Sequence, residues 1–157
     1  MNRICQIFVL GVLLGACPCY AQKAEKTSDT DLIKAAIVRE TNAFFQIDYK
    51  TWIDSWVHEP YAYWSLVDAQ GESSYYEGWE AIEIGFTDYF VTSKPSNATV
   101  EHKWQEIRIY GNGAYARFRQ TLVTDGKRGN EQVEIRILEK QKGVWKIALV
   151  GVLQVKK

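Results

Sequence analysis

The apolar positions of this chain keep one period in its first half and another in its second. From Thr30 onward, Ile33, Ala36, Ile37, Phe44 and Phe45 recur three and four residues apart. That spacing predicts a helix with one buried face, and Thr30 or Asp31 can cap its start. A second, short helix follows: Tyr49, Trp52, Ile53 and Trp56 fall at i, i+3, i+4 and i+7, with Asp48 as cap and Pro60 as stop. "YAYWSLV" (61–67) reads as a strand and "DAQGESS" (68–74) as the turn after it. After Gly78, the stripe Trp79, Ile82, Phe86 and Phe90 predicts a third helix, which "TSKPSN" closes.

The period then shortens to two. "ATVEHKWQEIRIY", "AYARFRQTLVT", "EQVEIRILEK" and "VWKIALVGVLQV" are separated by "GNG", "DGKRGN" and "QKG". These turns supply Gly beside Asn, Asp or Lys, as antiparallel hairpins require. The pattern predicts an α+β domain over residues 30–157: three N-terminal helices packed on one face of a strongly curved antiparallel β-sheet.

The segment before residue 30 has a different character. Arg3 precedes an apolar run from Ile4 to Ala16, followed by small residues and Pro18. This is the pattern of a secretory signal, and the run is shorter than the roughly 20 apolar residues that span a bilayer. Cleavage after Ala21 makes residues 1–21 a signal peptide and 22–29 a flexible leader. Alternatively, "LGAC" is a lipoprotein box with Cys17 as the lipidated N-terminus. Both readings predict export, to the periplasm or beyond the cell. All three cysteines (Cys5, Cys17 and Cys19) lie in this segment, so no disulfide is expected in the domain. Loss of Arg3 leaves the 19 basic residues one short of the 19 acidic ones. That balance argues against nucleic acid or an anionic membrane surface as partner, a lipid on Cys17 apart.

The phrases "DYKTWIDSWVHEP", "YYEGWEAI", "YGNGAYARF" and "EIRILEKQKGVWKI" come in an order that resembles the nuclear transport factor 2-like superfamily, and within it the SnoaL-like branch of exported bacterial proteins. "YAQ" resembles the exit sequence of secreted Bacteroidetes proteins. The resemblance implies a cone: a bent sheet around helices, with a pocket between them. Enzyme members of the superfamily often place Asp, His or Tyr inside that cone. Members include isomerases, dehydratases, cyclases and transport factors, so the fold leaves the function open.

The candidate chemistry lies around that pocket. His58, among Trp and Tyr residues, is a candidate acid or base; packing on an aromatic neighbour with a bond to a backbone carbonyl is the plainer role. His102 shares a strand face with Trp104. Trp56, Tyr63 and Trp79 offer polar tips on apolar bodies and suit a pocket wall. If the central hairpin aligns its apolar faces, Arg117, Arg119, Glu134 and Arg136 become neighbours that can hold an anion; a solvated face or a dimer surface is the alternative. Two distant histidines do not make a metal site, and no cofactor is expected. Three functions stay open: a ligand-binding domain, a lyase or isomerase moving a proton with a pocket His or carboxylate, and a module that dimerises through its sheet.

Overall fold

The computed structural model describes residues 27–154. Helix α1 (Asp29–Phe45) starts one or two residues earlier than the expected caps. Ser28 is the cap, its Oγ accepting from the Asp31 amide at 3.2 Å. Ile33 and Ile37 on its inner face are fully buried. Asp29 ties this end to the sheet, accepting from Lys140 Nζ at 2.6 Å and Trp145 Nε1 at 3.2 Å. Helix α2 (Tyr49–Asp54) is capped by Asp48, whose Oδ1 accepts from the Thr51 amide at 3.0 Å. It ends well before Pro60.

Strands β1 (Tyr63–Val67) and β2 (Ser73–Glu77) form a hairpin, and α3 (Trp79–Thr92) comes after them. The helices therefore do not precede the sheet as a block. β2 lies partly in the stretch read as a turn. It is a mostly exposed edge strand that opens on two serines, so it lacks the apolar alternation that marks a strand. β3 (Thr99–Tyr110), β4 (Gly113–Thr124), β5 (Lys127–Gln141) and β6 (Val144–Gln154) form the meander.

The six strands make one sheet in the order β2-β1-β6-β5-β4-β3. It is mixed, not antiparallel: β1 runs parallel to β6, with Trp64 opposite Val150 and Leu66 opposite Val152. After the meander the last strand comes back beside the first, and the local pattern of neither strand encodes that pairing. Register shifts at Trp104/Glu106, Thr121/Val123 and Ile137/Leu138 mark irregularities in three long strands. Such bulges bend a strand and deepen its twist, which curves the sheet around the helices.

The core lies in the hollow of that curve. Trp52, Trp56, Phe118, Leu138, Ile147 and Val150 are each no more than 2% exposed. Trp56 is fixed there by the backbone on either side of it. The Val57 amide donates to the Ile147 carbonyl and the Ile147 amide to the Ser55 carbonyl, both at 2.8 Å.

Candidate functional site

Strand register decides which side chains meet on the inner face. Residues opposite one another across a ladder share a face, and residues two apart on one strand do too. Phe118 lies opposite Glu134, and Glu134 opposite Val152. One step along, Ala116, Arg136, Val150 and Trp64 form the next row. Glu134 and Arg136 therefore point inward, among the most buried side chains of β5. A neighbouring row runs His102, Gln120, Gln132, Gln154 and reaches solvent at Gln154.

Between these rows and the helices is a cavity of about 190 Å³. Phe44, Trp52, Trp56, Trp64 and Phe86 give it an aromatic wall, and Glu40, Thr41, Gln120, Glu134 and Arg136 a polar one. Glu40 arrives from α1. Arg136 Nη2 lies 3.0 Å from Glu134 Oε2 and 3.7 Å from Glu40 Oε2. Two carboxylates thus flank one guanidinium, and all three side chains are at most 6% exposed.

Charges taken this far from water cost several kcal/mol each unless paired. Here the pairing is incomplete by charge: one cation faces two acids. Burial raises the pKa of Glu40, opposed by Arg136 and by the Trp52 indole, whose Nε1 donates to Glu40 Oε1 at 3.1 Å. Burial likewise raises Glu134, against the pull of Arg136, and the charge of Glu40 pushes it the same way. Gln132 Nε2 donates to Glu134 Oε1 at 2.6 Å. Such a pair titrates together. Arg136 and Gln132 favour charge on Glu134, and Arg136, Trp52, Trp56 and Thr41 favour it on Glu40, so a retained proton belongs to the pair. His102 is pushed down to about 4 by burial and then by Arg136, so it is neutral at neutral pH.

Arg136 Nε and Nη1 have no hydrogen-bond partner; Trp56 Nε1, Thr41 Oγ1, Gln120 Oε1 and His102 Nε2 lack a well-formed one, although Glu40 feels Trp56 and Thr41, and His102 feels Gln120. Such atoms cost about 1–3 kcal/mol each when left unpaired. Their concentration in one place marks a site that a bound molecule or water completes.

The expected site residues divide into two sets. Trp56, Glu134 and Arg136 line the cavity. Arg117 and Arg119 do not: they lie opposite Ile135 and Val133 on the outer face, near Glu106 (3.6 Å) and Glu131 (2.6 Å). The four-residue charged cluster is therefore split by the sheet. The hairpin places Val133, Ile135 and Ile137 outward and the charged pair inward, the reverse of the expected alignment. An anion pocket with three arginines does not form, because one arginine reaches the cavity and two acids match it. Tyr63 also faces outward, stacked on Tyr75 at 6.2 Å, and Trp64 occupies the inner position beside it. His58 is exposed. Its Nε2 lies 3.0 Å from the Ile53 carbonyl, and its ring stacks on Trp79 at 4.3 Å. Both line a shallow depression outside the cone. Trp79 reaches the cavity's wall only from behind, packing on Trp52 and Trp56.

The sequence reading missed Glu40, Thr41 and Gln120. A signal for Glu40 existed. It falls three residues after Ile37 and four before Phe44, in the middle of the apolar stripe of α1, where an unpaired acid is out of place. Gln120 likewise continues the inward series Ala116, Phe118.

No family model matches the sequence, and no curated protein matches it. Solved structures do match. A nuclear transport factor 2-like protein of unknown function from Shewanella oneidensis superposes with a TM-score of 0.63 at 16% identity, over 81% of this chain and 100% of that one. A second such protein, from Shewanella baltica, gives 0.57 at 16% identity over 80% and 95%. A protein from Streptomyces avermitilis, provisionally described as a dehydratase of the same family, gives 0.60 at 13% identity over 81% and 96%. At these identities the likeness is one of fold: this chain shares the fold of these nuclear transport factor 2-like proteins.

Proposed function

We propose that this protein binds a small molecule in its cone and moves a proton on it, as a lyase or isomerase does. The observation that carries the reading is the Glu40–Arg136–Glu134 group: two buried acids of raised pKa around one guanidinium, at the wall of an aromatic cavity. Paired groups held in opposite protonation states are the means of acid–base catalysis. One acid of the pair, charged beside Arg136, takes a proton from a carbon of the ligand. The other, holding the retained proton, gives it to the oxygen that leaves or becomes an enol. The Streptomyces avermitilis neighbour, provisionally described as a dehydratase, is consistent with chemistry of this class.

The test is a screen of small metabolites in deuterated water, read by NMR. A true ligand shifts the Trp56 indole N–H resonance and exchanges a carbon-bound proton in the presence of the protein. Glu134→Gln keeps the shift and loses the exchange. A screen in which nothing perturbs Trp56 overturns the ligand reading. Ligands that bind without any exchange reduce it to binding alone.

The same proposal includes export. Residues 1–21, the leader up to residue 26 and Cys17 lie outside the described residues. Mass spectrometry of the protein from its native host is expected to find Gln22 as first residue, or a lipid on Cys17; a mature chain that keeps Met1 refutes export.

A further inference from the structure

The unpartnered polar atoms at the cavity are of both kinds. Arg136 Nε and Nη1 are donors without an acceptor, whereas Trp56 Nε1 and Gln120 Oε1 lack a well-formed bond and have only Glu40 and His102 within their influence. Glu134 Oε2 has its ion contact with Arg136 and no hydrogen bond. A molecule that answers both kinds carries an acceptor and a donor side by side.

Charge narrows the choice. Arg136 contributes one positive charge, and Glu40 and Glu134 contribute two acids, so a single retained proton makes the group neutral. An anion would lie beside two acids, and a cation beside the guanidinium. Each would also have to shed its water in a cavity whose other wall is aromatic. Size narrows it again: a cavity of about 150 Å³ accommodates benzene, and this one is about 190 Å³. One ring and one small polar group fill it.

Building on the ligand reading above, we infer that the cone takes an uncharged single-ring molecule with an oxygen acceptor adjoining an N–H or O–H donor, of which a primary carboxamide is the simplest case. The oxygen accepts from Arg136 and Trp56. The donor reaches Glu134 or Gln120. Phe44, Trp64 and Phe86 hold the ring.

Benzamide, benzoate and benzamidine share one planar shape and are uncharged, anionic and cationic near pH 7. Titrating each into the protein, with the Trp56 indole N–H as reporter, separates the terms. Benzamide is expected to bind at least about tenfold more tightly than either charged analogue, a margin of roughly one decade in Kd. Gln120→Leu is expected to weaken benzamide severalfold without weakening toluene. If benzoate or benzamidine matches or exceeds benzamide while shifting Trp56, the charge inference falls and the ligand reading stands. If none of the three shifts Trp56, this inference falls too. The broader reading is then decided by whether any molecule of the metabolite screen does.

Discussion

At the scale of single residues, the molecule is organised around Arg136. It is the cation that two buried acids share, so its removal leaves both without a counter-charge. Arg136→Met is expected to cost about 3–5 kcal/mol at neutral pH, the range for breaking a buried ion pair, measured by denaturant unfolding. The sign of its pH dependence follows from the acids. Their folded-state pKa values already lie above the ordinary 4.5 because of burial, and Arg136 holds them down. Without it they rise further. A raised folded-state pKa gives stability that is lost as pH rises through it, so the deficit should be larger at pH 7 than near pH 5. An equal deficit at both would mean the acids do not feel the arginine. His102 has the opposite sign. Its pKa falls from 6.5 to about 4 on folding, so its contribution is present above 6.5 and lost as pH falls through that window. His102→Gln removes this loss. The Tm difference between variant and parent should move in the variant's favour from pH 6.5 down to 4, and parallel Tm curves would refute it.

At the scale of elements, α3 meets the β1–β2 hairpin through Phe86, packed on Trp64 and Tyr76, and through a close approach at Gly85. A Cβ on Gly85 would come within 2.4 Å of the Tyr76 ring, which Trp64 and Phe86 hold at 5.6 and 5.7 Å. Gly85→Ala is therefore expected to cost about 1–3 kcal/mol by overpacking, even though alanine suits a helix better. Tyr76→Leu should recover part of that cost in the double variant, because the clash is with the ring. Additive losses would place the strain elsewhere. The same contact explains why β2 was hard to read from sequence. Its structural content is the single inward Tyr76, not an alternating face.

At the scale of the whole molecule, no helix among the described residues covers the outer face of the sheet. Ile137 and Leu153 are each 41% exposed there, and Arg117 and Arg119 are engaged with Glu106 and Glu131 instead of lying open as a cationic patch. We propose that a second copy of the chain covers this face. Sedimentation equilibrium should then show a dimer that Ile137→Lys weakens; a monomer at all concentrations would refute it.

Much of the fold was legible in local pattern. The stripe of α1, the Asp48 cap and the glycine turns at Gly111, Gly126 and Gly143, all at positive φ, depend on residues close in sequence, and such interactions are written where they act. Alternation also showed that Glu134 and Arg136 share a face. It could not show which face, because a strand whose two faces read V-I-I and E-R points its apolar side inward by default. Tertiary structure reversed that default. Glu40, nearly a hundred residues earlier, meets Arg136 and offsets the cost of burying it. The parallel pairing of β1 with β6 brings Trp64 to the same wall from a similarly distant part of the chain. Neither partner is visible from the other's neighbourhood, so the elements were determined by the sequence read locally, and the cavity and its chemistry by the contacts that closed it.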